Sequence, residues 1–551
     1  MLKRFGLAGA LLASTFAVGA HAANVPAADG CAQLRGMRSG DAQILSTELV
    51  AGPAWKAPDG TALEKLGSFC RVVAHATPTP QSNILIEIWL PARESWNGKI
   101  LGTGNGGFAG AIRYPALAGG LRRGYVVANT DMGTFPAGLL GGNGYDAGIG
   151  RPEAVRDWGA RATHEMALMT KAVTRAYFSK DASRSYYAGC STGGHQGLTE
   201  AQRYPDDYDA IIAGAAGHNR THLHMAFTWF GQTARMPGGL IPPQTMNLWA
   251  TTFLKSCVGR DGGVPGDAFL NQPLQCDFAP RRMLCEARKS GPGCFTPQQV
   301  AVLDRIYGGV RNPRTGKLVY PAEVKGAEGL LAFFLGDPSA ATKPVAADLA
   351  RWVFGAQYDA STFDFDRDVA RMDETIGPDV NANDPDLSRF AARGGKLILY
   401  HGWSDLIVSP LDSILYYERM SGGQGGPAKE FFSRLFMAPG VSHCAGGAGF
   451  DRFGQGAESV AGDADHDLLA ALDRWVETGQ APDRIIAGKV AGDGNPFAPP
   501  SDGPVVATRP LCAYPQVAQY DGRGDTSSAA SFRCVAAAKP KFEWPAAEYL
   551  K

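Results

Sequence analysis

What this chain has little of narrows its function first. Its 53 Lys and Arg are matched by 53 Asp and Glu, so it has no electrostatic footprint for nucleic acid or for an anionic membrane surface. Beyond the first two dozen residues no apolar run approaches the roughly 20 residues of a spanning helix. There is no internal repeat, no low-complexity tract and no arrangement of two close cysteine pairs of the zinc-binding kind. The partner left by these absences is a small molecule.

The amino terminus has the parts of an export signal over residues 1–22. Lys3 and Arg4 give the positive start, Leu7 to Val18 the apolar stretch, and Ala20-His21-Ala22 the small-residue cleavage site. A mature chain beginning near Ala23 is expected in the periplasm or outside the cell; a lone N-terminal membrane anchor is the alternative. The ten cysteines all lie beyond that signal, and an even number in an exported protein implies bridges.

The mature chain, roughly 530 residues, exceeds one ordinary domain. From about residue 80 to 215 strand-like runs alternate with helical patterns: Asn83 to Leu90, Lys99 to Gly102, Gly124 to Asn129, a helix over 160–178, and Ser185 to Gly189. The texture returns at 395–402 and 430–437 and ends in a helix over 465–478. This alternation predicts an α/β domain with a mostly parallel sheet, made of residues 23–217 and 391–551. Between 218 and 390 cysteines, Gly, Pro and aromatics cluster, and the segment is expected to be an inserted lid.

Gly189-Cys190-Ser191-Thr192-Gly193 fits G-x-S-x-G between a strand pattern and a helix-like stretch, where a nucleophilic serine sits exposed on a tight turn. Far along the chain, His443 stands beside Cys444. A disulfide between Cys190 and Cys444 would hold a serine and a histidine as neighbours, since bridged Cα atoms lie about 4.4–6.8 Å apart. A base needs an acid to fix its tautomer. Asp405 follows the strand 397–400 and His443 the next strand, both on loops where an open α/β sheet places its ligands. Asp412 is the nearest rival acid; His195, four residues after the serine, is near the site, and His401 is read as structural. Gly102-Thr103-Gly104-Asn105-Gly106-Gly107 matches G-x-G-x-x-G, but an exported enzyme is a poor place for a diffusible nicotinamide cofactor. The better reading is an oxyanion loop in which an N–H near Gly106 or Gly107 joins that of Thr192.

At these residues the chain resembles the tannase and feruloyl esterase family, which also includes the hydrolase of mono(2-hydroxyethyl) terephthalate. The matching runs are Gly104 to Gly110, Gly189 to Gly194, His401 to Asp405, Ser442-His443-Cys444, and the tail Arg509 to Cys512 through Phe532 to Cys534. The resemblance implies an α/β-hydrolase core, a Ser191-Asp405-His443 triad, a Cys190–Cys444 bridge and a lid over the acyl pocket. It also implies the bridges Cys31–Cys70, Cys257–Cys276, Cys285–Cys294 and Cys512–Cys534. Family members carry calcium in a lid loop, Cys-Asp-x-x-Asp-Gly-x-x-Asp-Gly. Here the loop after Cys257 lacks the first Asp, Asp261 is kept, and Asp267 comes two residues late, so a structural calcium has a depleted set of ligands. His195 stands where members often have Arg.

The resulting expectation is a serine carboxylic ester hydrolase that needs no cofactor for its chemistry and acts on esters of aromatic acids. Hydroxycinnamate esters of the feruloyl type come first, gallate esters second, terephthalate or phthalate monoesters third. Trp352 and Phe354 are the expected stacking residues for the acyl ring, and Arg351 and Arg371 the candidate cations for a second carboxylate. A non-catalytic binding protein on a hydrolase scaffold is the rival of another class.

Overall fold

The computed structural model describes residues 28–108, 110–134, 146–286, 291–326, 328, 348–423, 426–455, 459–492 and 503–550. The export segment expected over residues 1–22 lies outside them. No helix among the described residues is long and apolar enough to cross a membrane.

Ten strands form one sheet: β1 (Arg38–Ser39), β2 (Ala42–Val50), β3 (Phe69–Ala76), β4 (Ile84–Pro91), β5 (Lys99–Thr103), β6 (Val126–Thr130), β7 (Arg184–Cys190), β8 (Ala210–Gly214), β9 (Lys396–Gly402) and β10 (Ser433–Ala438). Their order is β1-β2-β3-β4-β6-β5-β7-β8-β9-β10. From β6 to β10 every pairing is parallel, and β1 to β4 join antiparallel. This is an α/β-hydrolase fold. The parallel strands are covered on both faces and therefore read as unbroken apolar runs, as in Leu397-Ile398-Leu399-Tyr400, all buried. β3, by contrast, alternates buried and half-buried positions after its first two residues.

Two helices, α1 (Tyr114–Arg122) and α8 (Leu468–Thr478), put Leu117, Leu121, Leu468, Leu472 and Trp475 into the core on one face. The other face is packed by α2 (Ala162–Phe178), α3 (Thr192–Arg203) and α7 (Pro410–Arg419), through residues such as Met166, Val173, Leu198 and Ile414. Asp467 fixes the start of α8, its side chain accepting from Ala470 N–H at 2.8 Å, and Gly479 at φ 77° ends it. A π-helical turn over Asp157–Arg161 leads into α2 and carries the buried Trp158.

Among the described residues, the chain between β8 and β9 adds no strand to the sheet. It includes α4 (Arg220–Ala234), α5 (Pro243–Cys257) and α6 (Pro297–Tyr307). A separate apolar cluster forms there, around Trp249, Phe253, Phe295, Leu303 and Ile306, and it takes in Leu406 from the loop after β9. The tail folds as two antiparallel hairpins, Arg484–Val490 with Val505–Cys512 and Gln516–Tyr520 with Phe532–Ala536.

All ten cysteines are paired, as Cys31–Cys70, Cys190–Cys444, Cys257–Cys276, Cys285–Cys294 and Cys512–Cys534.

Candidate active site

β7 ends at Cys190 and α3 begins at Thr192, which leaves Ser191 alone in the turn. Its φ of 63° and ψ of −120° are a conformation that a residue with a Cβ keeps only when its surroundings hold it there. They do: Ser191 N–H donates to Gly214 O at 2.9 Å, and Ser191 O accepts from His195 N–H at 3.0 Å and Gly217 N–H at 3.2 Å. The Ser191 side chain makes no capping hydrogen bond to α3. Its hydroxyl therefore stands at the positive end of the helix without being used to cap it.

The glycines flanking the serine allow backbone to meet backbone. A Cβ on Gly189 would fall 2.6 Å from the carbonyl carbon of Gly193, and one on Gly193 would fall 2.9 Å from Cα of Gly104. Gly104 opens the loop after β5, so the turn and the expected oxyanion loop touch with no side chain between them. Gly193 N–H donates to Asn105 O at 2.8 Å, Asn105 N–H donates to Gln196 Oε1 at 2.9 Å, and Thr192 Oγ1 donates to Gly107 O at 2.5 Å. Thr192 is the first residue of α3, so its N–H has no partner within the helix. Gly107, at φ 62°, lies against that helix start. Thr192, Gly106 and Gly107 are thus gathered beside Ser191.

The Cys190–Cys444 bridge brings the two Cα atoms to 5.9 Å and so ties the serine turn to the loop after β10. Cys444, like Ser191, has a positive φ, 67°. His443 Nδ1 lies 2.7 Å from Asp405 Oδ2. The Asp405 side chain is wholly buried, whereas that of His443 is 20 % exposed. Asp405 Oδ1 accepts from Ile407 N–H at 2.7 Å and Val408 N–H at 3.1 Å. Burial on its own would raise the Asp405 pKa; the His443 charge and the hydrogen bonds from His401 and His443 outweigh it and hold the carboxyl well below the usual range. His401 Nε2 faces two acceptors, Asp405 Oδ2 at 3.1 Å and Val408 O at 3.0 Å. It therefore carries a proton, and Nδ1 faces the Ser413 hydroxyl at 2.7 Å. The histidine read as structural thus directly supports the Asp405 carboxylate, placed by the i, i+4 spacing from strand end to loop.

Asp412 is buried in α7 and stands 3.7 Å from His218 Nε2, while His443 is paired with Asp405. His195 is fully buried beneath the turn and hydrogen-bonded through Nε2 to Val380 O at 2.7 Å. Burial first, and then the charge of Arg220, lower its pKa well below that of a free imidazole.

The expected stacking residues separate. Trp352 is buried against Phe108, which directly follows Gly107, with ring centroids 5.6 Å apart. Phe354 instead stacks on Tyr358 at 4.4 Å. Of the two candidate cations, Arg351 is paired with Asp146 at 2.7 Å, and the exposed Arg371 lies over the Phe354 ring at 4.9 Å.

The expected calcium ligands have other partners. Both Asp267 oxygens accept from Arg509, at 2.8 and 3.1 Å. The two Asp261 oxygens accept from Gln272 N–H at 2.9 Å and Gly263 N–H at 3.3 Å. Among the described residues no group of three or more His, Cys, Asp or Glu could hold a metal ion. One carboxylate neutralised by a guanidinium and another bound by backbone N–H do not fit a cation that needs six to eight oxygens.

Comparison with known proteins agrees with this architecture. The family model described as tannase and feruloyl esterase matches residues 70–535. An uncharacterized esterase of Xanthomonas campestris pv. campestris is 36% identical over 97% of this chain and 96% of its own length. A probable feruloyl esterase B-1 of Aspergillus terreus is 30% identical over 85% of this chain and 86% of its own. Among solved structures, feruloyl esterase B from Aspergillus oryzae superposes with a TM-score of 0.81 at 26% identity, covering 92% of this chain and 99% of that one.

Proposed function

We propose, from the premise that the chain belongs to the tannase and feruloyl esterase family, that it is an exported serine esterase for aromatic acid esters. Family membership makes it an esterase; export, the serine nucleophile and the aromatic acyl group are our reading. The observation that carries the serine is the Cys190–Cys444 bridge, with Ser191 in its strained turn on one side and His443 paired with Asp405 on the other.

In this reading Ser191 Oγ attacks the acyl carbon as His443 takes its proton, and Asp405 holds the imidazole in the tautomer that leaves Nε2 free to accept. The oxyanion is held by the N–H groups of Thr192 and of Gly106 or Gly107. His443 returns the proton to the departing alcohol oxygen. Water, deprotonated by the same histidine, then splits the acyl-enzyme into the aromatic acid and free Ser191. No cofactor is required. The segment 218–390 covers the acyl pocket as a lid, and it sets His224 and Trp352 against Phe108 beside the oxyanion loop, with ring centroids 4.9 and 5.6 Å away.

Feruloyl-type esters are the proposed substrates, because Arg351 and Arg371 are engaged elsewhere and hydroxycinnamates need no cation for a second carboxylate. Gallate esters come next and terephthalate monoesters last. A fluorophosphonate probe must label Ser191, and methyl ferulate must show a higher kcat/KM than mono(2-hydroxyethyl) terephthalate on the same preparation. An unlabelled serine would return the chain to a non-catalytic binding role, and the opposite preference would overturn the substrate order. Sequencing of the exported protein should find a first residue at or near Ala23.

A further inference from the structure

Arg220, the first residue of α4, is 4 % exposed. Its Nη2 donates to Thr192 Oγ1 at 3.0 Å, and its guanidinium lies over the Trp158 ring, 5.0 Å from the centroid. Its Nε has no hydrogen-bond partner, and among the described residues no carboxylate pairs with it. Burial lowers its pKa to about 9, which leaves it cationic at neutral pH. Taking an ion out of water without a counter-ion costs several kcal/mol, so a chain that tolerates one uses the charge for something.

The position says what. Thr192 Oγ1 passes the contact on by donating to Gly107 O, so one hydrogen-bonded line runs from Arg220 through the first residue of α3 to the expected oxyanion loop. The guanidinium also packs on the backbone beneath the serine: a Cβ on Gly217, whose N–H bonds Ser191 O, would lie 3.3 Å from Arg220 Cζ. The unmatched positive charge therefore stands one hydrogen bond behind Thr192 and Gly107, the residues expected to hold the negative charge that develops during ester hydrolysis.

We propose that Arg220 is a positioning residue for the ester hydrolysis inferred above: it fixes Thr192 and Gly107 and supplies the positive charge that the tetrahedral oxyanion meets. The oxyanion develops only as the tetrahedral state forms, so the gain falls on the transition state and shows in kcat rather than KM. This rests on the serine-esterase reading.

The test uses the full chain carrying Arg220→Met or Arg220→Lys, each checked by thermal melting, on methyl ferulate and mono(2-hydroxyethyl) terephthalate. The Met variant should lose about 100-fold in kcat on both esters, in the range seen for removing one oxyanion donor, with KM within about twofold. The Lys variant should recover part of that loss, and affinity for phenylboronic acid, which forms a tetrahedral adduct, should fall with kcat. If the Met variant does not fold, Thr192→Val cuts the line with Arg220 in place and must lower kcat at unchanged KM. A folded Met variant with wild-type kcat overturns the proposal. So does a loss confined to KM for the terephthalate monoester, which would make Arg220 a clamp for a substrate carboxylate. Labelling of wild-type Ser191 separates the failures: without labelling the esterase reading itself falls, and with labelling only the role of Arg220 does.

Discussion

Arg220 and Arg509 are buried equally, 4 % exposed each, and each lies against aromatic rings, yet their charges are handled in opposite ways. Arg509 is closed by both oxygens of Asp267 and packed on Phe532 and Phe450, 4.1 and 4.7 Å from the ring centroids. Arg220 has a threonine hydroxyl and an indole. The region around Arg509 is electrically matched and joins the tail hairpins to the loop after α5; around Arg220 no carboxylate among the described residues supplies a matching charge. Burial alone does not distinguish a structural cation from a functional one, whereas the presence of a counter-ion does.

The contrast can be broken most forcefully at the acids. Asp405→Asn should lower kcat about 10⁴-fold, as loss of the tautomer-fixing carboxylate does in a serine triad, while Asp412→Asn should leave kcat within about threefold. If Asp412→Asn were the damaging change, the acid would be misassigned. On the matched side the damage should go to stability: Arg509→Met leaves Asp267 uncompensated and should cost about 3–5 kcal/mol, read by denaturant unfolding, with kcat per folded molecule unchanged. Arg509→Met with Asp267→Asn should recover part of that loss. EDTA should not move the melting temperature of the wild type, because the Asp261–Asp267 loop is held by protein donors.

Smaller effects sharpen the difference. Replacing Cys190 and Cys444 by alanine should reduce activity by a larger factor than the folded fraction falls, since the bridge joins the two loops that carry Ser191 and His443; equal factors would make it a stabiliser only. Acid should act through Asp405. Its folded pKa lies below its unfolded value, near 3.9, so its contribution to stability is present above about pH 4 and fades as the pH falls through the folded value. Wild-type stability should therefore drop more between pH 5 and 3 than that of Asp405→Asn, and parallel curves would contradict the depressed pKa.

Much of this was legible in the sequence because it was local. The parallel strands announced themselves as apolar runs, since each is buried on both faces, and the G-x-S-x-G turn carries its steric requirement in its own glycines. β2 and β3 escaped notice although β3 alternates, because only their pairing with β4 makes an antiparallel flank of such runs. The tail hairpins were hidden behind Gly and Pro. Asp267 looked like a misplaced metal ligand because its partner lies 242 residues away. Arg220 gave no sign at all: the lack of a nearby carboxylate is a fact of three dimensions. His401 was seen but undervalued, its contact with Asp405 depending on how the loop after β9 turns back.

Leu406, one residue beyond Asp405, is buried among Trp249, Phe295 and Leu303 of the chain between β8 and β9. That segment is therefore not a freely exchangeable cartridge. A lineage that replaced it to change substrates would also have to inherit a socket for this leucine, or the loop presenting the acid would lose its register. Recombination between relatives is thus constrained at a side chain packed inside that segment's own apolar cluster, and the first repair selected in a poorly active chimera should fall at 406 or in the residues that enclose it.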